Sequence, residues 1–230
     1  MNSSLVSLDD IIFIVPKLVE SLNVTLTIAF YSLVFGLLVG AFLTSMQNNR
    51  FYLVRRFAHY YVDIMRGAPL ALLILLVFYG GKLILSRFAS SLVIADQTFA
   101  ILAISLSISG YFAEMMRSAY LAVDVGQKEA VQSTNIPPLI GFCRIIFPQC
   151  FILAVPNFGN LLINLVKMTS LVNIIGIVDV FGRAEKISQN SYGARQIPAF
   201  VSVIVVYWVL NLMIRFFTKY IEHRYQYLLK

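Results

Sequence analysis

Cysteine and charged residues are both scarce in this chain of 230 residues. The two cysteines, Cys143 and Cys150, show neither a CxxC pair nor the spacing of metal ligands, so the sequence predicts free thiols and no metal site. Charged residues make up only 13% of the chain, and the cations behind its net charge of +7 are spread over short segments. Without a clustered basic face or an RNA-binding signature, we expect no nucleic-acid partner.

Catalytic motifs are missing too. The chain has no GxSxG elbow, no HExxH pair, no paired aspartates within an apolar stretch and no glycine-rich phosphate-binding loop, and each of these is the signature of a particular chemistry. The only histidines, His59 and His223, stand far apart in the sequence and are interpreted as side chains at membrane interfaces. We therefore expect a protein that is not an enzyme and that binds no cofactor itself.

Apolar residues are what the chain has in excess. They make up 59% of it, and its mean hydropathy is +0.81, which is more apolar surface than one soluble core can bury. The amino end carries Asp9 and Asp10 where a signal peptide would carry a basic region, so we expect the first span to act as its own insertion signal. The sequence predicts a multi-pass membrane protein.

Five uncharged or nearly uncharged stretches are long enough to cross a hydrocarbon core of about 30 Å as helices. They predict an all-α membrane protein made of one transmembrane domain, 1–230, with spans at about 22–46, 69–85, 97–116, 146–167 and 198–218. Between the last two spans, residues 172–178 are apolar but too short to cross, and we expect a helical hairpin or a re-entrant piece there.

The basic residues indicate how these spans are oriented. Arginines alternate with aromatic residues over 48–66, which is typical of a segment at the level of the lipid headgroups. Lys and Arg are more frequent in the first loop, the central loop and the tail than in the intervening segments. By the positive-inside rule the amino terminus is predicted outside and the carboxyl terminus inside.

The central loop, 117–147, is the one long polar interruption between spans. Its stretch from Gly126 begins "GQKEAVQSTNIPPLIGFCRIIFP", in which residues 127–132 predict a short helix and Pro137 and Pro138 end it. The spacing of Glu129 and Ala130 to Ile145 and Pro148 is similar to the cytoplasmic "EAA" loop of importer permeases of the ABC class. Val131 replaces a usual Ala and Asn135 a usual Gly, and Asn is the residue that best keeps a helix-ending role there.

Three further motifs carry the same resemblance, namely "RGAPL" at 66–70, "YxxExxR" at 111–117 and "KMTSL" at 167–171. In the second, Glu114 and Arg117 stand three residues apart on one face of a helix, which predicts an ion pair at the membrane edge. The chain resembles the polar amino-acid branch of that family, the histidine, glutamate, glutamine, arginine and opine type. The resemblance implies a type I permease fold in a bacterial plasma (inner) membrane, surrounded by membrane lipid. Its implied partners are an ATP-binding cassette subunit that holds ATP and Mg, a second permease subunit, identical or related, and an extracytoplasmic solute-binding protein.

Two sets of residues are candidates for function. The resemblance implies a coupling loop that docks on the ATP-binding subunit, formed by Gly126, Gln127, Glu129, Ala130, Asn135, Ile145 and Pro148. In the fourth span, Asn157, Asn160, Asn164 and Lys167 recur at a spacing that puts them on one face of a helix. This stripe either holds spans together by hydrogen bonds or lines the route of a polar cargo.

The predicted function is that of the permease subunit of an ATP-driven importer for a polar amino acid, with glutamine, arginine and cystine as examples that the sequence does not separate. An ion channel or a secondary transporter of a small polar solute is the alternative, although internal repeats, a filter-like loop and several intramembrane acids are missing from the sequence. A membrane-embedded enzyme is disfavoured for want of converging acids or a nucleophile.

Overall fold

The computed structural model describes residues 8–89, 91–134 and 136–225, and over these ranges it consists of helices and turns without strands. In chain order the α-helices are α1 Leu8–Glu20, α2 Leu22–Gln47, α3 Tyr52–Gly67, α4 Leu70–Phe88, α5 Asp96–Ala122, α6 Val125–Ser133, α7 Pro138–Gly141, α8 Phe147–Met168, α9 Val180–Asn190 and α10 Gln196–Tyr225. A π-helical turn, Phe142–Ile146, leads into α8, and a 3-10 helix, Thr169–Ile175, follows it.

Five of these segments are long and apolar enough to cross a membrane, as the sequence predicts. They are α2, α4, α5, α10 and the continuous stretch Pro138–Ile175 that contains α8. The 3-10 helix ends at Gly176, whose φ of +84° is a left-handed conformation that glycine adopts without strain. The chain then turns into the short helix α9.

Helix α5 is the centre of the bundle, and α2 lies directly against it. The hydroxyl of Ser32 donates to the carbonyl of Ile101 over 3.4 Å, and that of Thr44 donates to the carbonyl of Ala113 over 3.2 Å. Both pairs are 69 residues apart, so the two helices run parallel. Their close approach depends on Gly40, because a Cβ there would lie 2.8 Å from the Cβ of Phe112.

The helices α4 and α8 pack on the same central helix in the opposite direction. Phe78 of α4 makes an edge-to-face contact with Phe99, with ring centroids 5.9 Å apart. Lys82 of α4 pairs with Asp96 over 2.9 Å at the start of α5. On another side of α5, the rings of Phe112 and Phe158 lie 6.0 Å apart.

A second cluster of buried residues joins α1, α9 and α10. Its members are Ile14, Leu18, Val180, Ala184, Ala199, Val203 and Val206. Two ion pairs fasten α1 over this cluster, Glu20 with Arg183 at 3.0 Å and Asp10 with Arg195 at 3.3 Å. The sequence does not predict α1, because its apolar residues are too few to form a span.

The start of α9 is fixed by the fully buried side chain of Asp179. One of its carboxylate oxygens accepts from the backbone amide of Gly182 over 2.9 Å, and the other accepts from the hydroxyl of Tyr207 over 3.2 Å. The next amide, that of Val180, donates to the hydroxyl of Thr25 over 3.3 Å. Burial raises the pKa of Asp179 above its ordinary value.

Two helices extend further along the chain than the sequence predicts. The second span, predicted to end at about residue 85, continues as α4 to Phe88, so that Arg87 also lies inside the helix. The central loop, expected from residue 117, begins six residues later because α5 continues to Ala122. Residues 118–122 favour helix, and Val123, 2% exposed, packs where the helix ends.

Candidate functional site

The four polar residues singled out in the fourth span lie together on one face of α8. Asn157, Asn160, Asn164 and Lys167 are all exposed on the single chain, whereas Val155 and Val166 on the opposite side are buried against the bundle. The stripe therefore does not hold α8 to the other helices of its own chain. Its polar groups face away from the bundle of the single chain.

The packing of α8 on α5 gives the depth of this stripe. With the amino terminus outside, as the charge distribution predicts, we take the exposed ion pair of Lys82 and Asp96 as the outer boundary of the apolar core, and Phe112 then lies about 24 Å below it. Phe158 is at the same level, and because α8 rises toward the outside, Asn164 lies about 15 Å deep. That is the middle of a hydrocarbon core about 30 Å thick.

A cleft of about 450 Å³ opens beside the outer half of this stripe, between α5 and α8. It is lined by Ile108, Tyr111, Leu161, Asn164, Lys167, Met168, Ser170 and Leu171. Its size falls within the range of about 300–1,000 Å³ that is usual for small-molecule sites. The ammonium group of Lys167 is the one formal charge in the lining, and in the described part of the chain no carboxylate pairs with it.

The ion pair that the sequence predicts in α5 lies about one helical turn beyond Tyr111, which lines the cleft. Arg117 donates to Glu114 through two nitrogens, over 2.6 Å and 3.0 Å, and Arg66 lies 3.9 Å from the same carboxylate. The hydroxyl of Tyr111, which lines the cleft, donates to the backbone carbonyl of Arg66 over 3.0 Å. This cluster ties the "RGAPL" and "YxxExxR" segments together at the inner end of the bundle.

The expected coupling loop forms a separate surface at the end of α5. Gly126, Gln127, Glu129 and Ala130 lie in α6, and no residue of this helix is buried. Asp124 caps it by accepting from the amide of Gly126 over 2.7 Å. Asn135 lies outside the described residues.

The remaining loop residues support α6 from behind. Ile145, in the π-helical turn, is half-buried, and Pro148 lies in the first turn of α8. The amide of Gln149 bridges the two parts by donating to the carbonyl of Ile145 over 3.0 Å and to the side chain of Gln127 over 3.5 Å. The sequence does not predict this bridge, because nothing in its pattern connects residues that far apart.

Val131, which stands where the family usually has Ala, needs a glycine at the position that it faces. Its side chain packs against Gly141, where a Cβ would collide with it. The larger residue in α6 thus fits because the residue facing it in α7 has no side chain. The sequence shows both residues but not that they meet.

The sequence profile of one family, described as "Binding-protein-dependent transport system inner membrane component", matches residues 15–227. The chain belongs to this family.

Three related permeases support this assignment. The L-cystine transport system permease protein TcyL of Bacillus subtilis is 31% identical over 91% of this chain and 87% of that protein. The nopaline transport system permease protein NocM of Agrobacterium fabrum is 33% identical over 87% of this chain and 83% of that protein. The putative glutamine transport system permease protein GlnP of Rickettsia felis is 31% identical over 91% of this chain and 94% of that protein.

Solved structures agree with the fold of this permease. A chain in a crystal structure of an amino acid ABC transporter with histidines superposes with a TM-score of 0.82, at 27% identity, over 95% of this chain and 99% of that one. A chain of the MetNI methionine ABC transporter in an inward-facing conformation superposes with a TM-score of 0.68, at 21% identity, over 95% of this chain and 99% of that one. The predicted family and fold are thus confirmed, and the permease is a multi-pass protein of the inner membrane.

Proposed function

We propose that this permease forms one half of the pathway of an ATP-driven importer for a polar amino acid. The cargo class rests on its relatives, which are named for L-cystine, glutamine and nopaline transport. In this proposal an extracytoplasmic binding protein delivers the cargo, and a second permease subunit, identical or related, completes the pathway. A channel or a secondary transporter is not favoured, because the family is binding-protein-dependent.

The observation that carries the proposal is the exposed polar stripe of α8 at the middle of the bilayer. Asparagine amides facing lipid would lose their hydrogen bonds with water, at a cost of several kcal/mol for each unsatisfied group. From Asn157 to Lys167 the stripe rises about 15 Å along the helix. A second permease subunit facing it would enclose a polar route through the centre of the membrane.

Lys167 gives this route a charge that suits an amino acid. Its unpaired ammonium group favours the α-carboxylate of a zwitterion, and the surrounding low dielectric strengthens that attraction. Asn164 and the hydroxyl of Ser170, in the same cleft, offer hydrogen bonds to the rest of the molecule. The apolar residues of the cleft, such as Leu161 and Leu171, leave room for a side chain without a charge of its own.

Energy for transport enters, in this proposal, through α6. Its exposed surface, with Glu129 at its centre, fits a docking role on an ATP-binding cassette subunit that holds ATP and Mg. Moving a two-state gate from 1:99 to 99:1 takes about 5.5 kcal/mol of differential binding. With the amino terminus outside, as proposed from the charge distribution, α6 lies on the cytoplasmic side where such a subunit resides.

Replacing Asn164 tests the pathway role. Asn164→Leu removes the amide at nearly constant volume, and because the residue is exposed on the single chain, we expect the complex to assemble and to hydrolyse ATP while uptake of labelled amino acid falls about tenfold or changes its cargo preference. Asn164→Gln keeps an amide and is the matched control, with uptake expected to recover in part. Normal uptake by the leucine variant, or loss of the assembled complex, contradicts a pathway role.

A further inference from the structure

Three arginines near the start of α3 form no ion pair with a carboxylate in the described part of the chain. Arg50, Arg55 and Arg56 are exposed, and across the described ranges none of them comes within 4.0 Å of a carboxylate. They differ in this from Arg66, Arg117, Arg183 and Arg195, which all form ion pairs. Their charges therefore face the surroundings of the chain and not one of its own carboxylates.

The guanidinium group of Arg56 is held in a fixed position rather than left to move in water. It donates to the hydroxyl of Tyr60 over 2.8 Å and 3.0 Å and to the hydroxyl of Tyr52 one turn earlier. The guanidinium of Arg55 lies 5.9 Å from the ring of Tyr52. Aromatic contacts of this kind reduce the entropy that an arginine loses when it binds an anion.

The exposed surface of α3 has a polar stripe and an apolar stripe side by side. Tyr52, Arg56, His59 and Asp63 follow one another along the first at helical spacing, whereas Leu53, Phe57, Tyr60 and Ile64 follow the second, and all eight are exposed. A third face, with Ala58 and Val62, is buried against α2 and α5. A division of this kind is typical of a helix whose exposed surface meets both the headgroups and the apolar part of a membrane.

The packing of α2 and α5 places the polar stripe at the inner interface. The constant offset of 69 residues between these helices puts Gln47 level with Met116, which is about 30 Å from Asp96 and therefore one full hydrocarbon thickness away from the outer boundary. Gln47 lies 3.4 Å from the ring nitrogen Nδ1 of His59. The basic turn that precedes His59 is then at the level of the inner headgroups.

We propose that the first two turns of α3 bind the headgroup phosphate of an anionic phospholipid. A cleft of about 220 Å³ is available for it, lined by Tyr52, Arg55, Arg56, His59, Tyr60 and Asp63. Arginine binds phosphate through two parallel hydrogen bonds, and the exposed side chains of Leu53 and Phe57 would meet the apolar part of the same lipid. Asp63 opposes the anion from the far end of the cleft, but the two guanidinium groups outweigh its single charge.

Lipid titration of the full-length permease, followed by native mass spectrometry in detergent, tests this site. Palmitoyl-oleoyl-phosphatidylglycerol is added to the wild type and to Arg55→Gln/Arg56→Gln, and the dissociation constant of the first bound lipid is measured. Loss of two interfacial arginines should weaken it roughly 30-fold. Phosphatidylcholine, which has no net charge, should bind both proteins equally weakly.

Two controls distinguish lipid binding at a defined site on α3 from general electrostatic attraction of an anionic lipid. Arg215→Gln/Lys219→Gln removes two exposed cations near the inner end of α10 and should leave the first dissociation constant within about twofold of the wild type. Tyr52→Phe/Tyr60→Phe keeps every charge but releases Arg56, and it should weaken binding severalfold. If the α10 variant weakens binding as much as the α3 variant, or the tyrosine variant binds like the wild type, there is no defined site on α3.

The same experiments identify the source of the anion. Millimolar inorganic phosphate should not displace the lipid, because it lacks the acyl chains that Leu53 and Phe57 would contact. Equal competition by phosphate would overturn the assignment to a lipid. So would unchanged lipid binding by Arg55→Gln/Arg56→Gln together with loss of a co-purifying protein subunit, since α3 would then be a protein docking surface.

Discussion

Gly40 makes the contact between α2 and α5 possible, and the structure gives the size of the effect when it is replaced. A Cβ at this position would lie 2.8 Å from the Cβ of Phe112, 3.1 Å from the carbonyl oxygen of Ser109 and 3.2 Å from the amide nitrogen of Ala113. Carbon atoms in contact prefer about 3.5–4.0 Å. Since two of these neighbours are backbone atoms and the third is the first atom of a side chain, no rotamer change relieves the overlap.

Gly40→Ala must therefore push the two helices apart, and overpacking of this kind costs about 1–3 kcal/mol. Gly80→Ala is the matched control, because no atom lies within 4 Å of a Cβ at that position of α4. Alanine favours helix over glycine by about 1 kcal/mol, so the control should be as stable as the wild type or slightly more stable.

The assay is thermal unfolding of the purified permease in detergent, followed by circular dichroism. For a chain of this length each kcal/mol shifts the melting temperature by roughly 2–4 °C. We expect Gly40→Ala to melt several degrees below the wild type and Gly80→Ala not to. Equal melting temperatures for the two variants would refute the packing argument, since both replace a helical glycine by the same residue.

Three further predictions concern other parts of the permease. Glu129→Lys should abolish uptake and co-purification of the ATP-binding subunit while membrane insertion stays normal, because a reversed charge disrupts a polar docking surface; wild-type values of both would remove the coupling role. In a Cys150→Ser background, Cys143 should react with a thiol reagent only from inside and Ser191→Cys only from outside, and labelling of both from one side would contradict the orientation. Burial raises the pKa of Asp179 above its ordinary value of 3.8, so the contribution of Asp179 to stability is greatest below that pH and is lost as pH rises through the raised pKa. In Asp179→Asn the melting temperature should therefore fall less steeply above about pH 4 than in the wild type. An unchanged slope would show that another group titrates.

The sequence predicts most of the features that depend on neighbouring residues. Five spans follow from long uncharged stretches, and the pair of Glu114 and Arg117 follows from a helical spacing of three, which the structure confirms at 2.6 Å. The polar face of α8 is also a matter of helical spacing. Which way that face points could not be predicted, because it depends on how Phe158 packs against Phe112.

Features that depend on distant contacts escaped the sequence. The apolar residues of α1 that matter, Ile14 and Leu18, are buried only because α9 and α10 return to them from the far end of the chain. Pro16 and the flanking acids make the same segment look irregular when it is read alone. The link between Gln149 and the coupling loop depends on a turn whose geometry local spacing does not determine.

Helix α5 has one more consequence, which concerns leverage. It runs for 27 residues without a proline or a break, which makes it a rod of about 40 Å, and only Val123 and Asp124 separate it from α6. A tilt of about 5° imposed at the inner end of such a rod displaces its outer end by roughly 3.5 Å. Small shifts of α6 would thus be magnified at the ion pair of Lys82 and Asp96, and α2, fastened along its length, would travel as part of the same lever arm.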